Sequence, residues 1–102
     1  MIHVLATITV RAGQRDAFLR IFKANVPAVL AEAGCVRYEP TIDVETGIPV
    51  QGGTRPNVVT IVEGWESLAH LKTHLQAPHM AAYREQVRDL VAGVTLQVTT
   101  PA

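Results

Sequence analysis

The chain has 102 residues, of which 48% are hydrophobic, and its nine Lys and Arg residues balance nine Asp and Glu residues. This hydrophobic content excludes an intrinsically disordered chain, because it supplies enough apolar surface to form a core. The zero net charge gives no overall field that would favour nucleic acid or an anionic membrane, so we expect neither as a partner. The length predicts one domain over residues 1–102.

The sequence carries few targeting features. From Met1 it enters an alternating strand pattern, without the basic region and apolar run of a signal peptide. No apolar stretch approaches the roughly 20 residues of a membrane span. The single cysteine, Cys35, has no partner for a disulfide within the chain. We therefore expect a cytoplasmic protein.

The first half of the chain predicts a strand, a helix and a second strand. Residues 2–10 alternate between two sets of side chains and are rich in β-branched types, which is typical of a strand. Residues 14–32 carry apolar side chains at the helical period, and Pro27 inside this pattern should kink or split the helix. Residues 35–44 form the second predicted strand, in which Pro40 favours a sheet edge or a bulge.

A loop and a third strand follow. Residues 45–57 contain three glycines and two prolines, which predicts a loop or a loose hairpin. Residues 57–65 alternate as a strand does, so every second side chain should point to the same face. The residues that share one face of this strand are Val59, Ile61, Glu63 and Trp65.

Two helices and a last strand complete the chain. Ser67 is a suitable N-cap for a helix over residues 68–75. A further helix is predicted over residues 78–91, where a proline fits the first turn and Gly93 should end the helical pattern. Residues 94–100 alternate again and predict a fourth strand.

The predicted order of elements, βαββαβ, is typical of ferredoxin-like α+β folds with an antiparallel sheet. Helices can cover only one face of such a sheet, whereas apolar side chains occur on both faces, as Val4 and Leu5 show in the first strand. A second apolar face needs a cover, and the simplest cover is another copy of the chain. We therefore expect a homodimer in which the two helix-free sheet faces meet.

Two stretches of the sequence resemble a known family. They are Glu32-Ala33-Gly34-Cys35 with Tyr38, and Glu63-Gly64-Trp65-Glu66-Ser67 continuing through His74 and Pro78-His79-Met80 to Tyr83. Together with residues 10–14, they make nearly the whole chain similar to the antibiotic biosynthesis monooxygenase family, and within it to the small bacterial quinol monooxygenases.

The resemblance implies a dimeric α+β barrel with one pocket per subunit between the helices and the sheet. It also implies oxidation of a quinol or a related aromatic to a quinone by dioxygen, without a metal or an organic cofactor. The sequence has no dinucleotide-binding glycine fingerprint, P-loop or flavin motif, which agrees with a cofactor-independent monooxygenase.

His74 and Trp65 are the candidate catalytic residues. An imidazole that faces the pocket can accept a phenolic proton near neutral pH, and His74 is placed to do so from the helix over residues 68–75. The alternative for His74 is a hydrogen-bonded position within the helix junction. Trp65 offers a flat wall for an aromatic ligand, and its alternative is a packing role under the following helix.

Four further residues are candidates for substrate binding: Tyr38, Glu63, His79 and Tyr83. The two tyrosines offer hydroxyl groups, although each type is more often a core residue with a satisfied hydroxyl. His79 lies at a helix start, which favours a neutral imidazole that can bond a ligand or simply cap the helix. Glu63, if buried, must be paired or protonated, with Arg37 or Arg84 as possible partners.

Three histidines in the second half raise the question of a metal. His70 and His74 are four residues apart and share a helix face, and His79 follows after the proline. Three histidines can hold a divalent ion. No acidic ligand pattern accompanies them in the sequence, so we predict that there is no metal site.

Other functions remain open at this stage. Haem degradation occurs in relatives of the expected fold, but those relatives carry an asparagine on the first strand where this chain has Ala6. Isomerisation of a small sugar-derived signal is also known in the superfamily. From a different class, a small-molecule-binding dimer whose pocket does no chemistry is a further alternative.

Overall fold

The computed structural model describes residues 1–102 and confirms a ferredoxin-like α+β fold. Its elements are β1 (Ile2–Val10), α1 (Arg15–Leu30), β2 (Cys35–Thr41), β3 (Val58–Trp65), α2 (Leu68–Leu75), α3 (Pro78–Val87) and β4 (Val91–Thr99). The four strands form one antiparallel sheet in the order β2-β3-β1-β4. None of the three helices combines the length with the apolar character that a transmembrane span needs.

Strand alternation decides which face of the sheet is buried. The buried residues at alternate positions are Val4, Ala6, Ile8 and Val10 in β1 and Val59, Ile61, Glu63 and Trp65 in β3. Val58 and Gly64 of β3 are buried as well. Leu5, on the opposite face, is 46% exposed. Phe18 and Phe22 of α1 are fully buried in the same cluster, so the core lies between the helices and this face. The face predicted for the third strand is therefore confirmed.

α1 runs unbroken through Pro27, so the predicted split does not occur. A proline at this position removes the hydrogen bond that an amide would donate to the carbonyl of Lys23. Both residues are exposed, so water can solvate the freed carbonyl. Phe22 and Val29 are buried on the core side of the same helix, and their burial offsets the lost bond.

The ends of three elements differ from the prediction. β2 ends at Thr41, three residues earlier than expected, and α3 ends at Val87, four residues early. β4 begins at Val91, so Gly93 lies inside the strand rather than ending a helix. Gly93 pairs with Thr9, beside an irregularity in the β1–β4 register. Pairing with β1 therefore draws the residues after α3 into the sheet.

β2 forms one edge of the sheet, as the proline within it indicated. Pro40 lies in this edge strand, where a missing amide donor is tolerated. The β2–β3 register also shifts between Cys35 and Arg37. Val36, inside this irregularity, is 52% exposed, whereas Tyr38 after it is buried. The irregular pairing therefore restores the inward face of β2 at Tyr38.

β4 forms the other edge and is covered by no helix. Its apolar residues Val94, Leu96 and Val98 are 56%, 48% and 41% exposed. They pair with buried residues of β1, so they lie on the helix side of the sheet, while Leu5 lies on the helix-free side. Apolar surface is therefore exposed on both faces near this edge.

Candidate active site

A cavity of about 400 Å³ lies between the helices and the sheet, within the size range of small-molecule sites. Most of its lining is apolar and includes Ala6, Phe22 and Met80. The polar and charged residues that line it are Tyr38, Glu63, His74, Tyr83, Arg84 and Arg88. Four of the predicted site residues, Tyr38, Glu63, His74 and Tyr83, are thus brought to one cavity.

Glu63 is a buried carboxyl group in the wall of this cavity. Only 6% of the residue is exposed, and its Oε1 accepts a hydrogen bond of 3.0 Å from Nε1 of Trp65. Burial raises the pKa of Glu63 to about 7; the Trp65 hydrogen bond lowers it, and the negative charge of Glu32 raises it further. Near pH 7 the carboxyl group therefore exchanges between its protonated and ionised forms.

The arginines expected to pair with Glu63 bind elsewhere. Arg37 donates to Glu39 through Nη2 at 2.8 Å, and Arg84 donates through Nη2 to the carbonyl of Leu75 at 2.7 Å. Of the two outcomes predicted for a buried Glu63, pairing or protonation, the structure favours protonation.

Trp65 lies behind the cavity wall rather than in it. The residue is fully buried, and it is absent from the cavity lining. Its ring centroid lies 4.6 Å from that of His74, and its indole N–H bonds Glu63. Trp65 thus supports two residues that do line the cavity, which matches the packing alternative rather than a flat wall for a ligand.

His74 occupies the inward face of α2 and is 1% exposed. Its Nδ1 lies 2.7 Å from Oε2 of Glu32. Burial lowers the pKa of His74, although the hydrogen bond and charge of Glu32 act in the opposite direction. A neutral imidazole that donates from Nδ1 to Glu32 leaves Nε2 as an acceptor, and no residue of the chain bonds Nε2. His74 is therefore a candidate base.

Glu32 is the site residue that the sequence analysis did not select. It lies in the turn after α1, and its Oε2 contacts both His74 and Nε2 of His79, the latter at 3.0 Å. His79 does not line the cavity between the helices and the sheet. Nδ1 of His70 lies 2.7 Å from the hydroxyl of Ser67, and His70 does not line this cavity. His70 and His74, although four residues apart on one helix, therefore do not belong to the same site.

Glu32, His74 and His79 are also the one set of side chains with the composition of a metal site. One ligand atom from each lies within 4.8 Å of the others. Two histidines and a carboxylate can bind a divalent ion. The contacts of 2.7 and 3.0 Å to Glu32 are hydrogen-bond distances, so the three side chains bond one another through Oε2 of Glu32.

The two tyrosines of the cavity pack on Phe22. The ring centroid of Phe22 lies 5.3 Å from that of Tyr38, in a stacked arrangement, and 5.6 Å from that of Tyr83, edge to face. Burial raises the pKa of both hydroxyl groups well above the ordinary value. Both tyrosines therefore stay protonated at neutral pH and can donate hydrogen bonds into the cavity.

The comparison with known families decides what kind of protein carries this cavity. The sequence model for antibiotic biosynthesis monooxygenases matches residues 1–86. The chain belongs to the antibiotic biosynthesis monooxygenase family. The relative named probable quinol monooxygenase YgiN, from Escherichia coli K12, is 42% identical, and the match covers 99% of this chain and 98% of that protein.

Solved structures agree on the fold of this family member. Rv0793 from Mycobacterium tuberculosis superimposes with a TM-score of 0.80 at 24% identity, covering 99% of this chain and 94% of that one. PA3566 from Pseudomonas aeruginosa gives a TM-score of 0.80 at 24% identity, covering 99% and 93%. Identities this low support the shared fold alone.

The buried carboxyl group predicts a pH-dependent stability. An unfolded Glu63 titrates near 4.5 and the folded one near 7, so the folded state binds more protons between these values. The free energy of unfolding of the wild type should therefore fall by about 3 kcal/mol, relative to Glu63→Gln, as pH rises through this window. Urea unfolding at pH 4.5 and pH 8, at one protein concentration, measures this difference.

Glu66→Gln is the matched control, because Glu66 is exposed and its replacement makes the same chemical change. The free energy of unfolding of Glu66→Gln should depend on pH in the same way as that of the wild type. A Glu63→Gln variant with the same pH dependence as the wild type would show that Glu63 ionises normally.

Proposed function

We propose that this chain is a cofactor-independent monooxygenase that oxidises a quinol or a related aromatic to a quinone with dioxygen. The observation that carries the proposal is the placement of His74: a buried imidazole held by Glu32, with its other nitrogen free, in the wall of a largely apolar cavity. The 42% identity to a protein named probable quinol monooxygenase supports the choice of substrate class.

The substrate itself supplies the electrons in this reaction. A quinol that loses a phenolic proton is electron-rich enough to reduce dioxygen directly, so the protein has to provide a base, a dry cavity and hydrogen bonds to the developing anion. One oxygen atom enters the ring and the other leaves as water. Quinol and dioxygen then give a hydroxylated quinone and water, and no outside reductant is needed.

Each residue of the site has a distinct role in the proposal. His74 accepts the phenolic proton at Nε2, and Glu32 holds the ring with the proton on Nδ1. Tyr38 and Tyr83 donate hydrogen bonds to the substrate oxygens. Two of the three remaining predicted site residues act indirectly: Trp65 supports His74 and Glu63, and His79 supports Glu32.

A homodimer is part of the same proposal. Both edges of the sheet, β2 and β4, are unpaired in one chain, and two copies that close a barrel would pair them. The helix-free faces would then meet and cover Leu5. The zero net charge supports an enzyme without nucleic acid or membrane partners, and we place it in the cytoplasm.

The rival functions make different demands on the cavity. Haem degradation in relatives of this fold uses an asparagine where Ala6 stands here, and Ala6 contributes only a methyl group to the lining. A binding protein without activity would keep the cavity and not consume oxygen. An oxygen electrode with a reduced naphthoquinol as substrate distinguishes enzyme from binder, once the rate of uncatalysed autoxidation is subtracted.

His74→Ala should lower kcat by about 10²–10⁴-fold, the usual contribution of a positioned acid–base group. Because burial lowers the pKa of His74, the wild-type rate should rise with pH through a pKa below the ordinary value, and this limb should vanish in the variant. Oxygen uptake at saturating quinol across pH 5–9 measures both effects.

His70→Ala is the control for this experiment, since His70 lies on the same helix but bonds Ser67 and does not line the cavity between the helices and the sheet. It should keep near-normal turnover. If His74→Ala has normal turnover and a normal circular dichroism spectrum, His74 is not the base.

Activity should need neither a metal nor a flavin. The basis is the absence of cofactor motifs in the sequence, together with the hydrogen bonds by which His74 and His79 contact Glu32. Elemental analysis and an absorbance scan of the active protein, before and after dialysis against a chelator, test this. A stoichiometric metal or a flavin band that is lost together with activity would contradict it.

Light scattering at micromolar concentration should give twice the 11.1 kDa of one chain. Leu5→Asp, on the helix-free face, should dissociate the dimer, because it places a charge in the proposed contact. Val98→Asp changes an apolar residue of similar exposure on the helix side and is the matched control. If Val98→Asp dissociates the dimer and Leu5→Asp does not, the contact lies on the helix side of the sheet and the proposed contact is wrong. A monomeric wild type would refute the dimer.

A further inference from the structure

Glu63 presents one anchored and one free oxygen to the cavity. Oε1 accepts the hydrogen bond of 3.0 Å from Trp65, whereas no residue of the chain bonds the other oxygen. The side chain lines the same cavity as His74 and is nearly buried, at 6% exposure. A group that reaches into the cavity with a free carboxyl oxygen is placed to exchange a proton with a bound substrate.

Two titratable residues of the cavity lining, Glu63 and His74, have pKa values shifted in opposite directions. Burial disfavours the charged form of each, so the pKa of Glu63 rises to about 7 while that of His74 falls. Both shifts favour the uncharged forms, a neutral imidazole at His74 and, below about pH 7, a protonated carboxyl group at Glu63. Opposite shifts of this kind, which favour a neutral base and a protonated acid in one site, are a usual arrangement for acid–base catalysis.

Several other groups face Glu63 from the surrounding elements. They are Tyr38 and Cys35 from β2, Tyr83 from α3, Glu32 from the turn after α1 and Trp65 from its own strand. His74, Arg84 and Arg88 line the same cavity, but none of the three is among the groups that shift the pKa of Glu63. The negative charge of Glu32 and the burial both favour the protonated carboxyl group, and only the Trp65 hydrogen bond opposes them.

We propose that Glu63 is the catalytic general acid that protonates the departing oxygen atom when the O–O bond breaks. The inference rests on the proposed function, because the reaction requires this proton. His74 can remove a proton from the quinol, but a neutral imidazole cannot supply one. Cleavage of a hydroperoxide without an acid would expel hydroxide into an apolar cavity, which is costly.

The proton and electron balance follows in three steps. His74 removes a phenolic proton, and the quinol anion transfers two electrons to dioxygen as an adjacent ring carbon forms a bond to oxygen. The resulting peroxide regains the proton from His74 and becomes a hydroperoxide. The O–O bond then breaks, and Glu63 gives its proton to the departing hydroxide, which forms water. The hydrogen on the ring carbon leaves as a proton to the Glu63 carboxylate, and its electron pair forms the new carbonyl bond. Quinol and dioxygen have become hydroxyquinone and water.

Glu63→Gln tests the acid directly, because the amide keeps the size and the Trp65 contact but cannot donate an acidic proton. The hydroperoxide should then leave whole, so that quinol and dioxygen give unmodified quinone and hydrogen peroxide. We expect kcat to fall about 10²-fold, with KM for quinol nearly unchanged, and up to one hydrogen peroxide per oxygen consumed. The wild type and the Glu66→Gln control should release almost none.

The pH profile gives a second readout. The wild-type rate should fall above about pH 7, as Glu63 loses its proton, and this alkaline limb should be absent in Glu63→Gln. Trp65→Phe removes the hydrogen bond that lowers the pKa of Glu63, so the alkaline limb should move to higher pH. Should Glu63→Gln fail to fold, this shift in Trp65→Phe decides the matter.

Two kinds of failure are distinguishable in these measurements. If the wild type consumes no oxygen above the autoxidation rate, the proposed function is wrong. If the wild type is active and Glu63→Gln forms water with the same pH profile, Glu63 is not the acid. An alkaline limb that does not move in Trp65→Phe would likewise overturn the assignment. Peroxide is measured with a peroxidase-coupled dye, after subtraction of the uncatalysed reaction.

Discussion

The contact between Glu32 and His74 is the interaction on which the site depends. It joins the turn after α1 to the inward face of α2, and its length of 2.7 Å marks a strong hydrogen bond between a carboxylate and an imidazole N–H. With the proton fixed on Nδ1, the other ring nitrogen is left as an acceptor. The ring of Trp65 on β3, tilted by 34° with its centroid 4.6 Å away, packs against the imidazole from the other side.

One physical cause explains the acid–base character of both groups in the cavity. Removing water disfavours every charged form, and this raises the pKa of a carboxylic acid while it lowers that of a histidine. Glu63 and His74 therefore need no special partner to differ in protonation. The apolar lining, which also suits an aromatic substrate, sets their protonation states through the same desolvation.

The edges of the sheet explain why a single chain looks incomplete. β4 has no helix above it, so three apolar side chains remain about half exposed, and Leu5 is similarly exposed on the other face. Val94 and Leu96 of this strand also form part of the cavity lining. Whatever covers β4 therefore also affects how open the cavity is to water. The proposed dimer would in this way couple assembly to the exclusion of water that the proposed reaction needs.

The sequence by itself determined the element order, the buried face of β3 and four of the residues that line the cavity. These follow from local periodicity, since a strand repeats every two residues and a helix every 3.6. It could not find Glu32, which lies 42 residues from His74 and meets it only after α1 and α2 have packed. Nor could it tell which of His70 and His74 lines the cavity. In the structure His70 bonds the hydroxyl of Ser67, whereas His74 lines the cavity. Tertiary structure also decided that Trp65 lies behind the cavity wall and that α3 ends at Val87. Burial and strand pairing depend on partners far along the chain.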